Sequence, residues 1–428
     1  MQMPARPRLD RDFGLLFVVM LVIGAGNTAL QSVLPSLGRS IGVADFLIAG
    51  VFSVSALVWV IAAPYWAARS DREGRRSMVL VGIGGFSVSI LLVGLMLSAG
   101  LAGWVSGGIA IVAVAIARII YGAFGSAAPP AAQAMIALRT TRAERTKALT
   151  MLGSAFGLGT ILGPALAPYM VLPGLGLAGP AYAFALIGLV TFIAVWRYLP
   201  ADGGSGEGHG AQVSYPSIGG APAGASITAA VEPISVTKLS SFDERIRAWM
   251  TVGLVSGHAQ AMTGAAMGFL VIDQLNLPVA EIATQQAIGL VLMIGAGAAL
   301  LVQWGIIPLL AMTPRGMALV GLVVASVGLV GTSQANTLFG LATTYAMSSV
   351  GFGFVRPAVT SGSSLAVGRE LQGAVAGRVT ANNGAAFIIG PALGVALYEG
   401  WRPLPYLAAA AMCVVALLYG WRAIRRTA

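Results

Sequence analysis

Long apolar runs separated by short polar breaks dominate the chain. Runs such as residues 13–34 and 77–100 exceed the ~20 residues that a helix needs to cross a bilayer. Backbone groups in lipid must bond internally, so each run is expected to be a helix. The pattern predicts twelve spans, near 13–36, 45–68, 77–100, 104–138, 147–172, 178–199, 246–272, 282–305, 316–334, 337–366, 371–399 and 403–423. The first run follows Arg6, Arg8 and Arg11 but is too long for the apolar core of a secretion signal. The expected class is therefore an all-α membrane protein.

The sixth and seventh spans are separated by residues 201–244, rich in Gly, Ser, Ala and Pro. Such composition reads as a flexible linker. It divides the chain into a six-helix bundle over 1–200, a linker over 201–245 and a second six-helix bundle over 246–428. The two parts echo each other. Gly163-Pro164-Ala165-Leu166 returns as Gly390-Pro391-Ala392-Leu393, an offset of 390 − 163 = 227, and the same offset carries Pro130 onto Pro357. Internal repeats with polar groups at their interface are a common construction of secondary transporters.

Composition agrees. Of 428 residues, 57% are hydrophobic and 9% charged, with a mean hydropathy of +0.85, which excludes an ordinary soluble domain. The net charge of +10 would suit a nucleic-acid binder, but its distribution does not. Of 25 Lys and Arg, Arg118 and Arg356 fall within spans and Arg39 and Arg402 on the outer side, leaving 21 in the inner segments. That is the positive-inside pattern, with both termini in the cytoplasm of a cell whose inner membrane holds the chain. The single cysteine, Cys413, excludes an internal disulfide.

Five charged residues crowd around one glycine between the second and third spans: Asp71, Arg72, Glu73, Arg75 and Arg76 about Gly74. The stretch resembles the loop Gly-x-x-x-Asp-Arg-x-Gly-Arg-Arg of the major facilitator superfamily, with Ala67 in place of the leading glycine. Arg118-x-x-x-Gly122 in the fourth span is similar to a second motif of that family. Gly159-x-x-x-Gly163-Pro164 in the fifth is similar to a third, associated with its drug/proton antiporter branch, although Ala167-Pro168 replaces the usual trailing glycines. The resemblance covers the whole chain and implies two pseudo-symmetric six-helix bundles. It also implies a gating role for Asp71, Arg72, Gly74, Arg75 and Arg76, which would hold the cytoplasmic side closed in one state. Gly74 lets the backbone reverse, and arginines can bridge to carboxylates and helix-end carbonyls of the other half. The matching loop in the second half keeps only Arg315-Gly316, so such a latch is expected to be asymmetric.

Ionisable groups within a membrane are costly and mark functional candidates. Arg118 lies near the middle of its span, with Tyr121 and Gly122 on the same helix face. The resemblance places spans one, four, seven and ten around a central cavity, which favours Asn27, Gln31, Arg118 and Tyr121 as wall residues. Arg356 in the tenth span and Asn382 and Asn383 in the eleventh join the substrate-binding candidates. All of these also fit plain interhelical hydrogen bonds. In the seventh span, His258 and Met262 form an i, i+4 pair that could hold a soft ion such as Cu(I), faintly resembling the copper-importing branch. Gly122, Gly159, Gly163, Pro164, Gly390 and Pro391 read as packing and hinge elements.

The expected function is a secondary transporter of a small organic solute, drug-like or carrying an anionic or zwitterionic group, moved outward by alternating access. A metal importer built on His258 and Met262 and an uncoupled facilitator are the alternatives. No nucleophile–base motif, H-E-x-x-H or P-loop is found, which argues against an enzyme or an ATP-driven pump. No cofactor and no nucleic-acid partner are expected; the partners are the solute, protons and the lipid bilayer, and the expected state is a monomer. The first, fourth and fifth spans hold no internal carboxylate, leaving His258 or the solute itself to carry a coupling proton.

Overall fold

The computed structural model describes residues 7–139, 142–201, 239–310, 312–368 and 371–424, with the side chains of 7–10, 67–68, 71–72, 137–139, 142–147, 150 and 372–373 set aside. Its first half holds α1 (Pro7–Ser40), α2 (Asp45–Glu73), α3 (Arg75–Leu101), α4 (Gly107–Ile120), α5 (Ala128–Arg139), α6 (Arg142–Leu166) and α7 (Gly179–Tyr198). The second half holds α8 (Arg247–Gln274), α9 (Ile282–Leu301), α10 (Ile307–Leu310), α11 (Pro314–Gln334), α12 (Leu338–Leu365), α13 (Gln372–Gly400) and α14 (Leu404–Ala423). The predicted linker lies almost entirely outside the described residues.

Two predicted spans are interrupted. The fourth is α4 and α5 joined through a π-helical turn at Tyr121–Gly125, and the eighth is α9 and α10 joined through one at Val302–Ile306. A π turn inserts a residue into the helical register and recurs at functional sites; the first of these begins one turn after Arg118, at Tyr121.

Eleven spans among the described residues are long and apolar enough to cross a bilayer. The twelfth, α8, has the length, 28 residues, but carries Ser256, His258, Gln260 and Thr263 in its middle. Three of these four return a hydrogen bond to their own helix. Ser256 donates to the Val252 carbonyl (2.7 Å), Thr263 to that of Ala259 (2.8 Å) and His258 Nδ1 to that of Leu254 (2.8 Å). A polar side chain bonded to the carbonyl four residues back adds no unsatisfied group to a buried helix. The outer surface of the molecule shows the converse, with Ile61, Leu186 and Val415 more than 60% exposed, as befits faces turned to lipid.

Glycines set the closest helix contacts. A Cβ on Gly159 or Gly163 of α6 would collide with the backbone of α1 at Leu21–Ala25 and Ala25–Ala29. In the second half, a Cβ on Gly390 or Gly394 of α13 would collide with Ala261 and Met262 of α8. Thus the Gly-Pro repeat found in the sequence makes the same joint twice, fifth span against first in each half. Gly122 seats the π turn against the Ser55 carbonyl of α2. The halves meet along α2 with α13 and α6 with α9, where Gly289 approaches the Pro164 carbonyl. Pro164 and Pro391 both lie inside continuous helices.

Candidate functional site

Arg118 is buried at 2% exposure, and its neighbours come from three elements. Its Nη2 donates to Asn27 Oδ1 of α1 at 2.7 Å. Its guanidinium lies 4.3 Å from the Tyr121 ring centroid and 5.3 Å from that of Phe52 in α2, the geometry of a cation–π contact. Trp59 and Phe86 also pack on Tyr121, at 5.1 and 6.0 Å between centroids. No carboxylate among the described residues pairs with Arg118. Its Nε, the Tyr121 hydroxyl and the Trp59 Nε1 are all buried without a hydrogen-bond partner. Buried polar groups are normally satisfied; these three orphan donors belong to Arg118 and to the two aromatic residues stacked beside it.

A second polar pocket lies within the other half. Gly253, Ser256 and Gln260 of α8, Arg356 of α12, and Asn383 and Phe387 of α13 line it. Arg356 sits over the Phe387 ring, 5.9 Å from its centroid. A more apolar cavity runs between the halves, with Gln31, Pro35 and Phe52 on one side and Ala265, Gly268 and Phe269 on the other. The structure therefore unites Asn27, Arg118 and Tyr121, groups Arg356 with Asn383, and sets Gln31 at the seam. It separates Asn382 from them: its Nδ2 donates to the Met250 carbonyl at 3.1 Å and fastens α13 to α8.

The metal reading of His258 and Met262 is not supported. Met262 is 1% exposed, and its backbone is the surface on which Gly394 rides. No group of three His, Cys, Asp or Glu among the described residues could hold a metal ion.

At the charged turn, α2 stops at Glu73 and α3 starts at Arg75, with Gly74 alone between them at φ +90°. That conformation favours glycine. Arg75 is fully buried, Arg76 donates to the Trp196 carbonyl of α7, and Arg69 pairs with Glu73 at 2.8 Å. The side chains of Asp71 and Arg72 lie outside the described ones.

Sequence reasoning missed a cluster at the opposite end. Arg39 of α1 is held by Asp45 of α2 and by Asp273 of α8, three residues that looked like unrelated helix-end charges. One signal was available: Arg39 and Arg402 are the two basic residues that break the positive-inside pattern, and both reach Asp273.

Two halves of long apolar helices, with cations and amides buried beside the seam, define a multi-pass membrane carrier fold. The sequence model of the Major Facilitator Superfamily matches residues 16–386, and the chain belongs to that family. It is 33% identical over 191 residues to the class B tetracycline resistance protein of Escherichia coli, covering 42% of each chain. It is 30% identical over 185 residues to multidrug resistance protein 2 of Bacillus subtilis, again 42% of each. The matched region thus spans about two fifths of the length of these curated relatives. Among solved structures, a bacterial homolog of the human lysosomal transporter Spinster, inward-facing and occupied, aligns with a TM-score of 0.67 at 12% identity, over 99% of this chain and 98% of that one. The human organic anion transporter MFSD10 aligns with a TM-score of 0.60 at 17% identity, over 97% and 100%. Both show the shared fold.

Proposed function

We propose that the chain is a secondary carrier that exports a small organic solute bearing an anionic group, with Arg118 as the charge that receives it. One observation carries the reading: a buried guanidinium hydrogen-bonded only by a neutral amide, Asn27, among the described residues. An isolated buried charge is expensive, and an anionic solute lowers that cost each time it binds. Asn27 and Tyr121 orient the guanidinium, and Gln31, Arg356 and Asn383 extend the wall across the seam. The relatives named for tetracycline and multidrug resistance support a drug-like solute and outward movement, and family and relatives alike point to transport rather than catalysis. The carrier sits in the inner membrane as a monomer with both termini inside, and Asp71, Arg72, Gly74, Arg75 and Arg76 gate its cytoplasmic end.

The test is a thermal-shift panel on purified protein with carboxylate-bearing and cationic drug-like compounds. A ligand at a hundred times its Kd stabilises by ~2.7 kcal/mol, enough to read as a rise in Tm. Carboxylate-bearing compounds are expected to raise the Tm of the native protein and to leave Arg118→Ala unmoved. Stabilisation by cationic compounds alone, equal in both proteins, would overturn the reading.

A further inference from the structure

Polar bridges join the two halves at the end of the molecule opposite Gly74. Arg39 Nη1 and Nη2 donate to Asp273 Oδ1 and Oδ2 at 2.6 and 2.9 Å. Gln285 Nε2 of α9 donates to Ser36 Oγ of α1 at 2.7 Å. The Phe46 backbone N–H, in the first turn of α2, donates to Glu399 Oε1 of α13 at 3.1 Å. Beneath them the Arg39 guanidinium lies over the Phe269 ring, 5.2 Å from its centroid, and Phe269 is part of the cavity wall between the halves.

The arrangement of charges within each half is the informative part. Arg39 has a second carboxylate in its own half: Nε donates to Asp45 Oδ1 and Oδ2 at 3.0 and 3.1 Å, and Nη2 to Oδ2 at 2.5 Å. Asp273 likewise has partners in its own half. Tyr398 Oη donates to its Oδ2 at 2.7 Å, and Arg402 Nε lies 3.8 Å from the same oxygen. If the halves part here, Arg39 leaves with Asp45, and Asp273 leaves with Tyr398 and Arg402. Neither charge is stranded. A buried pair whose members have no other partner is strongly destabilised when broken, whereas this one can open and close. A contact serving only to hold the fold together would have no need of a spare partner on each side.

We propose that Arg39 and Asp273 form the clasp of the outer mouth of the carrier, closed in this structure and broken each time the mouth opens, with Asp45 and Tyr398 as the positioning residues that hold the parted charges. The proposal is independent of the solute and shares only its sidedness with the function proposed above.

The experiment uses intact cells expressing the full chain with Cys413→Ala. A reporter cysteine at Ala49, which lines the cavity under the clasp, is labelled with a membrane-impermeant maleimide. A second reporter at Trp104, 83% exposed in the loop after α3 at the same end, sets the fully accessible reference. Ala49→Cys is expected to label slowly in the parent, about tenfold faster with Asp273→Asn, and slowly again with Asp273→Glu, which keeps the charge; tenfold corresponds to ~1.4 kcal/mol of lost preference for the closed state. Asp45→Asn leaves the Arg39–Asp273 bridge in place and is expected to stay slow. An unchanged rate in Asp273→Asn overturns the clasp, and equal acceleration by Asp45→Asn reduces the cluster to a fold contact. Failure of Trp104→Cys to label from outside overturns the outer assignment alone.

Discussion

At the scale of the residue, the decisive pair is Arg118 and Asn27. Their bond is charge-assisted at 2.7 Å, and such bonds contribute ~1.5–3 kcal/mol. Asn27→Asp is the informative substitution, since it preserves shape and hydrogen bond while supplying the carboxylate that the site lacks. The fold is expected to survive with an undiminished Tm, because a buried cation gains a counter-charge. Binding of an anionic solute should fall at least tenfold, because that counter-charge now competes for Arg118. Isothermal titration with the best carboxylate-bearing compound from the thermal-shift panel reads both sides, and undiminished affinity would separate the solute from Arg118. Both residues stand out in the sequence as polar positions in apolar runs. Their pairing does not, since 91 positions separate them.

Among the elements, the joint between α6 and α1 rests on Gly159 and Gly163. Gly163→Ala places a methyl group against the Ala25 carbonyl, Thr28 and Ala29, so α6 must move away. Overpacking of this kind destabilises by ~1–3 kcal/mol. Gly153→Ala on the same helix meets open space and is expected to be neutral or slightly stabilising, because alanine is the better helix former. The contrast in Tm between the two variants tests the joint, and Gly394→Ala should repeat the loss in the second half, where Met262 stands in the way. The Gly-Pro repeat announced these joints in the sequence. The π turn at Tyr121–Gly125 was not announced, since it depends on how α4 must settle against Ser55 of α2.

For the whole molecule the open question is the source of energy. Every Asp and Glu among the described residues lies at or near a helix end or in a connecting segment: Asp10, Asp12, Asp45, Asp71, Glu73, Glu144, Asp243, Glu244, Asp273, Glu281 and Glu399. A proton carried through the membrane core therefore falls to His258 or to the solute. His258 is tied to the Leu254 carbonyl through Nδ1, which leaves its other ring nitrogen, Nε2, outside that bond. In proteoliposomes with an imposed pH gradient, His258→Gln is expected to abolish the response to the gradient while downhill flux persists. A response of unchanged size assigns the proton to the solute, and no response in the native protein identifies a facilitator.

The sequence by itself determined the class, the approximate spans, the two-fold repeat and the candidate cations. The forces behind these are local or set by the bilayer: a fixed hydrocarbon thickness, the need of each backbone group for an internal partner, and the rarity of charge in lipid. Tertiary structure decided which candidates meet. It joined Arg118 to Asn27, turned Asn382 away to the Met250 carbonyl, and returned His258 to its own helix. It brought Arg39 and Asp273 together across 234 positions. Charges at helix ends are commonplace, and nothing in their spacing tells which end of which helix will face another. That follows from the packing of one half on the other, along α2 with α13 and α6 with α9.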